Sequence, residues 1–384
     1  MKFVNRTQKI PQYIFSKLDA VKKQLEQKGI EIIDLGIGDP DIPTPEVIVN
    51  SMGNYIKNPK NYKYPPYSGI DEFKKAVANY YNKNYNVDLD YNAEVAALIG
   101  SKEGIAHLFL SLTDIDDYVI LPDPAYPVYQ AAAIIAGCNI FKMPLKEENN
   151  YLPDLSNIDK EILKKAKILI VNYPNNPTGA VADEEFYRNL IRLGIENDIA
   201  IVNDGAYLQI YKSDIKPKSL LEIPYAKNIA VEFGSLSKSY NMSGWRLGYV
   251  AGSSEIIKKL MIIKTNFDSG QFSAIQQTGA YALNYVSDFS EYINEIYKDR
   301  RKIVEDKLKE KNYYVYDSKG TFYVWFKVPN NLSSEEFSKL VLEKTGVLIT
   351  PGNAFGDFGE GYCRISLTVN KNKLIEAMNR IVNM

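Results

Sequence analysis

The sequence predicts an α/β protein: a mostly parallel sheet sandwiched by helices, followed by a smaller α+β unit. Three observations predict it. From Val95 to about Ala251, short apolar runs alternate with amphipathic stretches, the pattern of strands joined by helical crossovers. From about Ser254 to Leu308 the apolar spacing turns helical. Beyond that, short strand-like runs precede a final amphipathic stretch. The 384 residues exceed what one hydrophobic core usually serves. The expected division is an N-terminal arm (1–44) that joins the small domain, a large ligand-binding domain (45–284) and a small C-terminal domain (285–384).

The elements follow in order. Residues 1–44 are short, proline-interrupted pieces, expected to lie against the smaller unit or a partner subunit. Val95–Ile99, Tyr118–Leu121, Ile140–Met143, Ile168–Asn172, Ile199–Asn203 and Ile229–Phe233 read as buried strands, because their apolar runs are short and bounded by turn residues. Between them Glu103–Leu112, Val128–Ala136 and Asp183–Glu196 read as helices, and Leu247–Ala251 as one further strand. In the smaller unit Tyr313–Val315, Phe322–Phe326, Val347–Ile349 and Cys363–Leu367 read as strands before the terminal helix.

Composition excludes several classes of function. A net charge of −1 makes neither nucleic acid nor an anionic membrane an obvious partner. Cys138 and Cys363 are the only cysteines and His107 is the only histidine. That argues against a disulfide framework, a zinc cluster or a Ser-His-Asp hydrolase. The N-terminal residues lack the apolar core of a signal peptide, and no apolar run approaches the ~18 residues of a membrane span. A cytoplasmic protein is expected. His107, one turn inside a predicted helix, reads as a packed or capping residue. Lys146-Glu147-Glu148-Asn149-Asn150 reads as a solvated loop.

Chemistry-bearing residues fall at the carboxyl ends of the predicted strands, where α/β sheets bind ligands. Gly100-Ser101-Lys102-Glu103-Gly104 opens a helix and offers backbone N–H groups to a phosphate. Tyr126, framed by prolines, can stack on an aromatic ring. Asn176, in Tyr173-Pro174-Asn175-Asn176-Pro177-Thr178-Gly179, can bond a phenolic oxygen, as can Tyr207. Asp204 can hold a pyridine nitrogen protonated. Ser235-Leu236-Ser237-Lys238 with Arg246 joins a lysine able to condense with an aldehyde to hydroxyls and a guanidinium able to hold a phosphate dianion. The aldehyde-bearing phosphate that suits this set is pyridoxal 5′-phosphate, whose ring is an electron sink.

The order of Asn-Asn-Pro-Thr-Gly around Asn176, Asp204-x-x-Tyr207, and Ser-x-Ser-Lys238 with Arg246 resembles the class I/II aminotransferases of the fold-type I pyridoxal phosphate family, over nearly the whole chain. The resemblance implies catalytic roles for Lys238, Asp204 and Tyr207. It implies cofactor binding by Ser101, Lys102, Tyr126, Asn176, Ser235, Ser237 and Arg246. Tyr64, in Tyr64-Pro65-Pro66-Tyr67-Ser68-Gly69, resembles the family tyrosine that reaches the cofactor phosphate of the neighbouring subunit, which implies a homodimer with shared active sites. Arg364 resembles the arginine that grips the substrate α-carboxylate.

Within that family, Leu35-Gly36-Ile37-Gly38-Asp39-Pro40-Asp41-Ile42-Pro43-Thr44-Pro45, Ile99–Leu108 and Phe267-Asp268-Ser269-Gly270 are most similar to the group acting on LL-diaminopimelate in lysine biosynthesis. On that likeness Tyr13, Gly38, Asn176, Lys102 and Asn266 are further substrate contacts. One departure stands out. Best-described members carry an acidic residue near the Tyr64 loop for the distal ammonium, whereas here Asp71 and Glu72 come only after Gly69. An aspartate or alanine aminotransferase is the alternative, and a lyase on the same fold, needing no oxo-acid acceptor, a more distant one. A ligand-sensing regulator on this fold would need an added DNA-binding domain, for which there is no long basic N-terminal extension.

Overall fold

The computed structural model describes residues 5–10, 14–212, 216–329 and 332–384. The strands run in chain order β1 (Ile33–Asp34), β2 (Val95–Leu98), β3 (Tyr118–Asp123), β4 (Asn139–Pro144), β5 (Ala166–Val171), β6 (Ala200–Asp204), β7 (Ala230–Ser235), β8 (Gly248–Gly252), β9 (Tyr323–Lys327), β10 (Val347–Leu348), β11 (Thr350–Pro351) and β12 (Tyr362–Ser366).

The main sheet has the order β2-β8-β7-β6-β5-β3-β4. Strands β3 to β7 pair in parallel, and β8 is antiparallel to both its neighbours, β7 and β2. Strand β2 therefore runs the same way as β7. Both faces of the sheet are covered, so a strand such as β5 can be apolar at consecutive positions. Ile168 and Ile170 face one core, with Ile105, Leu108, Ala133 and Leu260. Leu169 and Val171 face the other, with Phe73, Val77, Leu190 and Ile191. Each such fully buried aliphatic side chain contributes about 1.5–3 kcal/mol.

Local signals set the helix ends. Helix Glu184–Asn197 begins where the Asp183 side chain accepts the Phe186 N–H at 2.8 Å, and two glutamates follow in its positive first turn. Helix Ser334–Thr345 has a reciprocal capping box between Ser333 and Glu336 and stops at Gly346, whose φ of +68° suits glycine.

The second sheet, β11-β12-β9, is antiparallel. It is backed by helix Ser334–Thr345 and by the long helix Phe289–Glu310, on which the terminal helix Lys371–Val382 packs. The N-terminal segment contacts these elements: β1 pairs in parallel with β10, Leu35 O accepts from Ser366 N at 2.7 Å, and Leu25 packs on Leu342 and Leu348. The expected strand Tyr313–Val315 is a correction. It makes a single bridge, Val315 to Phe326, and no ladder. Among the described residues no helix is long and apolar enough to cross a membrane.

The two units meet at a buried carboxylate. Asp123, at the end of β3, accepts the N–H groups of Asp357 at 3.2 Å and Phe358 at 3.0 Å, with Lys142 Nζ at 2.9 Å. Ala125 N donates to Phe355 O at 2.7 Å beside it. Gly356 lies so near that a Cβ there would stand 2.0 Å from Asp123 Oδ1.

Candidate active site

The carboxyl ends of β2, β3, β5, β6 and β7 lie on one edge of the main sheet, and the second sheet faces them across a cavity of about 570 Å³. Ser101, Lys102, Tyr126, Asn176, Asp204, Tyr207, Ser235, Ser237, Lys238, Arg246, Arg364 and Gly38 all line it. The separate strand-end readings thus converge on one space.

Lys238 lies in the short helix after β7, and its Nζ donates to Gly38 O at 2.6 Å. Burial pulls its pKa down to about 8; Asp39 opposes the shift, and Arg246 and Arg364 add to it. About a tenth of such amines are neutral at pH 7, against roughly three in ten thousand at the ordinary lysine value. Asp204 ends β6, where burial raises its pKa to about 6. Its Oδ2 accepts from Tyr129 OH at 2.7 Å. Its Oδ1 makes no well-formed hydrogen bond, although the Ala206 amide lies beside it. A buried carboxylate oxygen without a partner is costly unless a ligand supplies one, and Asp204 lines the cavity.

Donors suited to a phosphate gather at the other end. Helix Ser101–Leu112 starts there after Gly100, with φ +76°. A Cβ on Gly100 would stand 2.4 Å from Arg246 Nη2, so glycine lets the guanidinium approach the loop. Ser235 and Ser237 complete the group. Lysine, orphaned acid, stacking tyrosine and phosphate donors fit pyridoxal phosphate by the chemistry of the donor set.

Arg364, on β12, crosses from the second sheet. Its Nη1 donates to Asn176 Oδ1 and its Nη2 to Gly36 O, both at 2.6 Å. Its guanidinium lies 4.0 Å from the Tyr323 ring centroid and 4.7 Å from that of Phe355. Nε has no hydrogen-bond partner. Two held nitrogens and two flanking rings fix a planar fork suited to a carboxylate. Tyr207 OH and Tyr323 OH are 3.0 Å apart, and burial raises the Tyr207 pKa well above the usual tyrosine value. Gly38 is tied to the same cluster, because a Cβ there would lie 1.9 Å from Tyr323 Oη.

Not every expected residue reaches the cavity. Tyr64 is 88 % exposed and points elsewhere within the single chain. Asn266 Nδ2 donates to Ile262 O in its own helix, away from the cavity. Tyr13 lies outside the described residues. Sequence reasoning missed Tyr129, Asn172, Tyr323 and Phe355. Tyr129 stands one helical turn after Tyr126. Asn172 follows β5, its Oδ1 accepting from Asn176 N at 2.8 Å and its Nδ2 donating to Asp204 O at 2.5 Å. Position after a strand could have flagged Asn172. Tyr323 and Phe355 carry no local signal.

His107 stays a packed residue outside the cavity. Its Nδ1 is 2.7 Å from Glu103 Oε2, and its ring lies against Phe267. Glu103, His107 and Asp268 come close enough to hold a metal ion. The buried Lys264 ammonium already bonds Glu103 and Asp268, each at 2.9 Å, and supplies the positive charge there.

Known proteins resemble the chain along its whole length. Residues 30–381 match the family model for aminotransferase class I and II. The LL-diaminopimelate aminotransferase of Aquifex aeolicus is 48 % identical over 382 residues, covering 100 % of this chain and 99 % of the relative. That of Halothermothrix orenii is 46 % identical, with coverage of 100 % and 98 %. Among solved structures, substrate-bound BacF from Bacillus subtilis superposes with a TM-score of 0.95 at 37 % identity, covering 100 % of this chain and 98 % of that one.

Proposed function

The chain belongs to the class I and II aminotransferases, which depend on pyridoxal 5′-phosphate, and from that premise we propose that it moves an amino group between LL-diaminopimelate and a 2-oxo acid such as 2-oxoglutarate. The observation that carries the chemistry is the meeting of Lys238, Asp204, Asn176 and Arg364 on one cavity. The substrate rests on full-length likeness to relatives bearing that name.

The bound cofactor supplies an aldehyde for a lysine and a protonated ring that withdraws electrons from the substrate carbon. Ser101, Lys102, Ser235, Ser237 and Arg246 would hold its phosphate, and Tyr126 would lie against its ring. Asp204 would face the pyridine nitrogen with its unpartnered Oδ1. Asn176 and Tyr207 would bond the phenolic oxygen; Asn176 can do so through Nδ2 because Arg364 already occupies its Oδ1. Arg364 would bind the α-carboxylate through the edge that carries its free Nε. Lys238 does the proton work. Its lowered pKa leaves a usable fraction of neutral amine to take the substrate α-proton.

We read the enzyme as a cytoplasmic homodimer whose Tyr64 completes the partner's phosphate site. Tyr64, Tyr62, Tyr67, Ile262, Phe267 and Tyr285 leave apolar surface exposed, which supports such a contact. We also read the chain as an arm (1–44), a large domain (45–284) and a small domain (285–384), in keeping with the β1–β10 pairing and with the break between helices Ser273–Tyr285 and Phe289–Glu310.

Lys238→Ala should keep the cofactor non-covalently and lose turnover by at least ~10⁴-fold. Near-normal turnover would refute the role of Lys238. Stopped-flow absorbance without an acceptor tests the substrate. Fast bleaching of the yellow enzyme by LL-diaminopimelate and slow bleaching by aspartate is expected. The reverse ranking would make it an aspartate-type enzyme.

A further inference from the structure

A diamino diacid carries an ammonium at its far end, and that charge needs an acceptor. The cavity lining contains four cationic side chains, Lys102, Lys238, Arg246 and Arg364, against two carboxylates, Asp39 and Asp204. In the proposed reaction Asp204 serves the ring nitrogen, and it already accepts from Tyr129. Asp39 is the remaining anion. It is exposed in the cavity wall and has no hydrogen bond or salt bridge among the described residues. Its neighbours on the same loop contrast with it. Asp41 is neutralised by a two-pronged contact with Arg300, at 2.6 and 2.9 Å. Asp34 is bound by Lys22 at 3.0 Å. The acids beyond the Tyr64 loop are also engaged elsewhere: Asp71 pairs with Lys74 at 3.1 Å and Glu72 accepts from Gln277 at 3.3 Å.

We infer that Asp39 is a specificity-determining residue that accepts the distal ammonium of the amino donor. The inference rests on the diaminopimelate reading. The backbone around Asp39 is firmly anchored. Gly38 O accepts from Lys238, Gly36 O from Arg364, and Ile37 O from Thr368 at 3.0 Å. The segment that presents Asp39 is thus tied to the groups that would grip the α-carbon end, and Asp39 stands in the wall of the same cavity. A carboxylate there favours a donor with a far cation over one without it.

The test compares LL-diaminopimelate with L-2-aminopimelate, the same seven-carbon diacid with hydrogen in place of the distal ammonium. In the holoenzyme, Asp39→Asn should lower kcat/KM for LL-diaminopimelate by ten- to a hundredfold, mostly through KM, and leave L-2-aminopimelate within about twofold. Asp39→Glu keeps the charge and should recover part of the preference. Calorimetric dissociation constants on a Lys238→Ala background should show the same selective loss without turnover. An equal fall for both donors would overturn the inference, because it would mean that Asp39 acts through the charge state of Lys238. No fall for either would overturn it too. If the wild-type enzyme turns over L-2-aminopimelate but not LL-diaminopimelate, the substrate reading itself fails and the inference falls with it. A wild type that prefers LL-diaminopimelate, with a preference unchanged in Asp39→Asn, sinks the inference alone.

Discussion

Burial shifts both Lys238 and Asp204 toward their neutral forms, and each shift has a measurable sign. For Lys238 the folded pKa of about 8 lies below the ordinary lysine value. The rate at which cofactor-free protein captures pyridoxal phosphate at this residue, read as borohydride-fixed product, should therefore rise through a midpoint near pH 8 and level off well before pH 10. A midpoint near 10.5 would show an amine that burial does not perturb. For Asp204 the folded pKa of about 6 lies above the unfolded value near 3.8. The native state favours the protonated acid, so the charged form costs stability. That cost is absent below about pH 3.8, grows up to about pH 6 and is constant above. In cofactor-free protein Asp204→Asn should raise Tm at pH 7.5, by a stabilisation on the order of 2 kcal/mol, and the gain should shrink at pH 4. The same variant should lose most of its activity with cofactor present. A Tm gain that is the same at both pH values would mean that charge is not its source.

At the scale of elements, legibility in the sequence depended on whether a signal is local. Strands β2 to β8 showed as short apolar runs bounded by turn residues, because burial on both faces removes any need for polar alternation. Tyr313–Val315 has the same composition but meets Phe326 at one bridge only; ladder formation depends on a partner strand outside the segment itself. Strands β1 and β11 are two residues long and have no periodicity to detect, whereas the equally short β10 showed within the apolar run Val347–Ile349. Helix Asp71–Tyr85 went unassigned although Phe73, Val77 and Tyr81 fall on one buried face at helical spacing. In the site, residues at strand ends were legible, since topology gathers such ends. Tyr129, which bonds Asp204 from 75 positions away, and Tyr323, which flattens against Arg364, depend on contacts across the fold.

The joint between the sheets gives a prediction at this same scale. Gly356, with φ +136°, leaves no room for a Cβ beside Asp123. Gly356→Ala should destabilise by about 1–3 kcal/mol and raise KM for the amino donor, because Phe355 flanks Arg364. Asp123→Ala should do likewise, and chemical denaturation of the double variant should show a loss smaller than the sum. Strict additivity would mean that the two residues do not share one contact.

For the whole molecule, the proposed dimer, with Tyr64 reaching the partner's site, would make dimerisation a matter of catalysis as well as stability. Tyr64→Ala and Lys238→Ala should each be impaired at limiting cofactor, by different routes. Mixed after dissociation and reassociation, they should form hybrids in which one site is dead and the other has Lys238 from one chain and Tyr64 from its partner. Random pairing makes half the dimers hybrids, so activity should recover to about a quarter of wild type. No recovery in hybrids verified by mass would refute shared sites.

The parallel strands all empty onto one edge, while the loop bearing Gly38 and Asp39 comes from the arm and Arg364 from the second sheet. On the roles proposed for these residues, reaction and recognition would be housed in separately heritable parts. A lineage can keep the sheet edge and its lysine unaltered and still acquire a new diet of amino acids by rewriting a handful of codons between Leu35 and Asp41. Grafting that short loop between relatives should accordingly transfer substrate preference as a cassette.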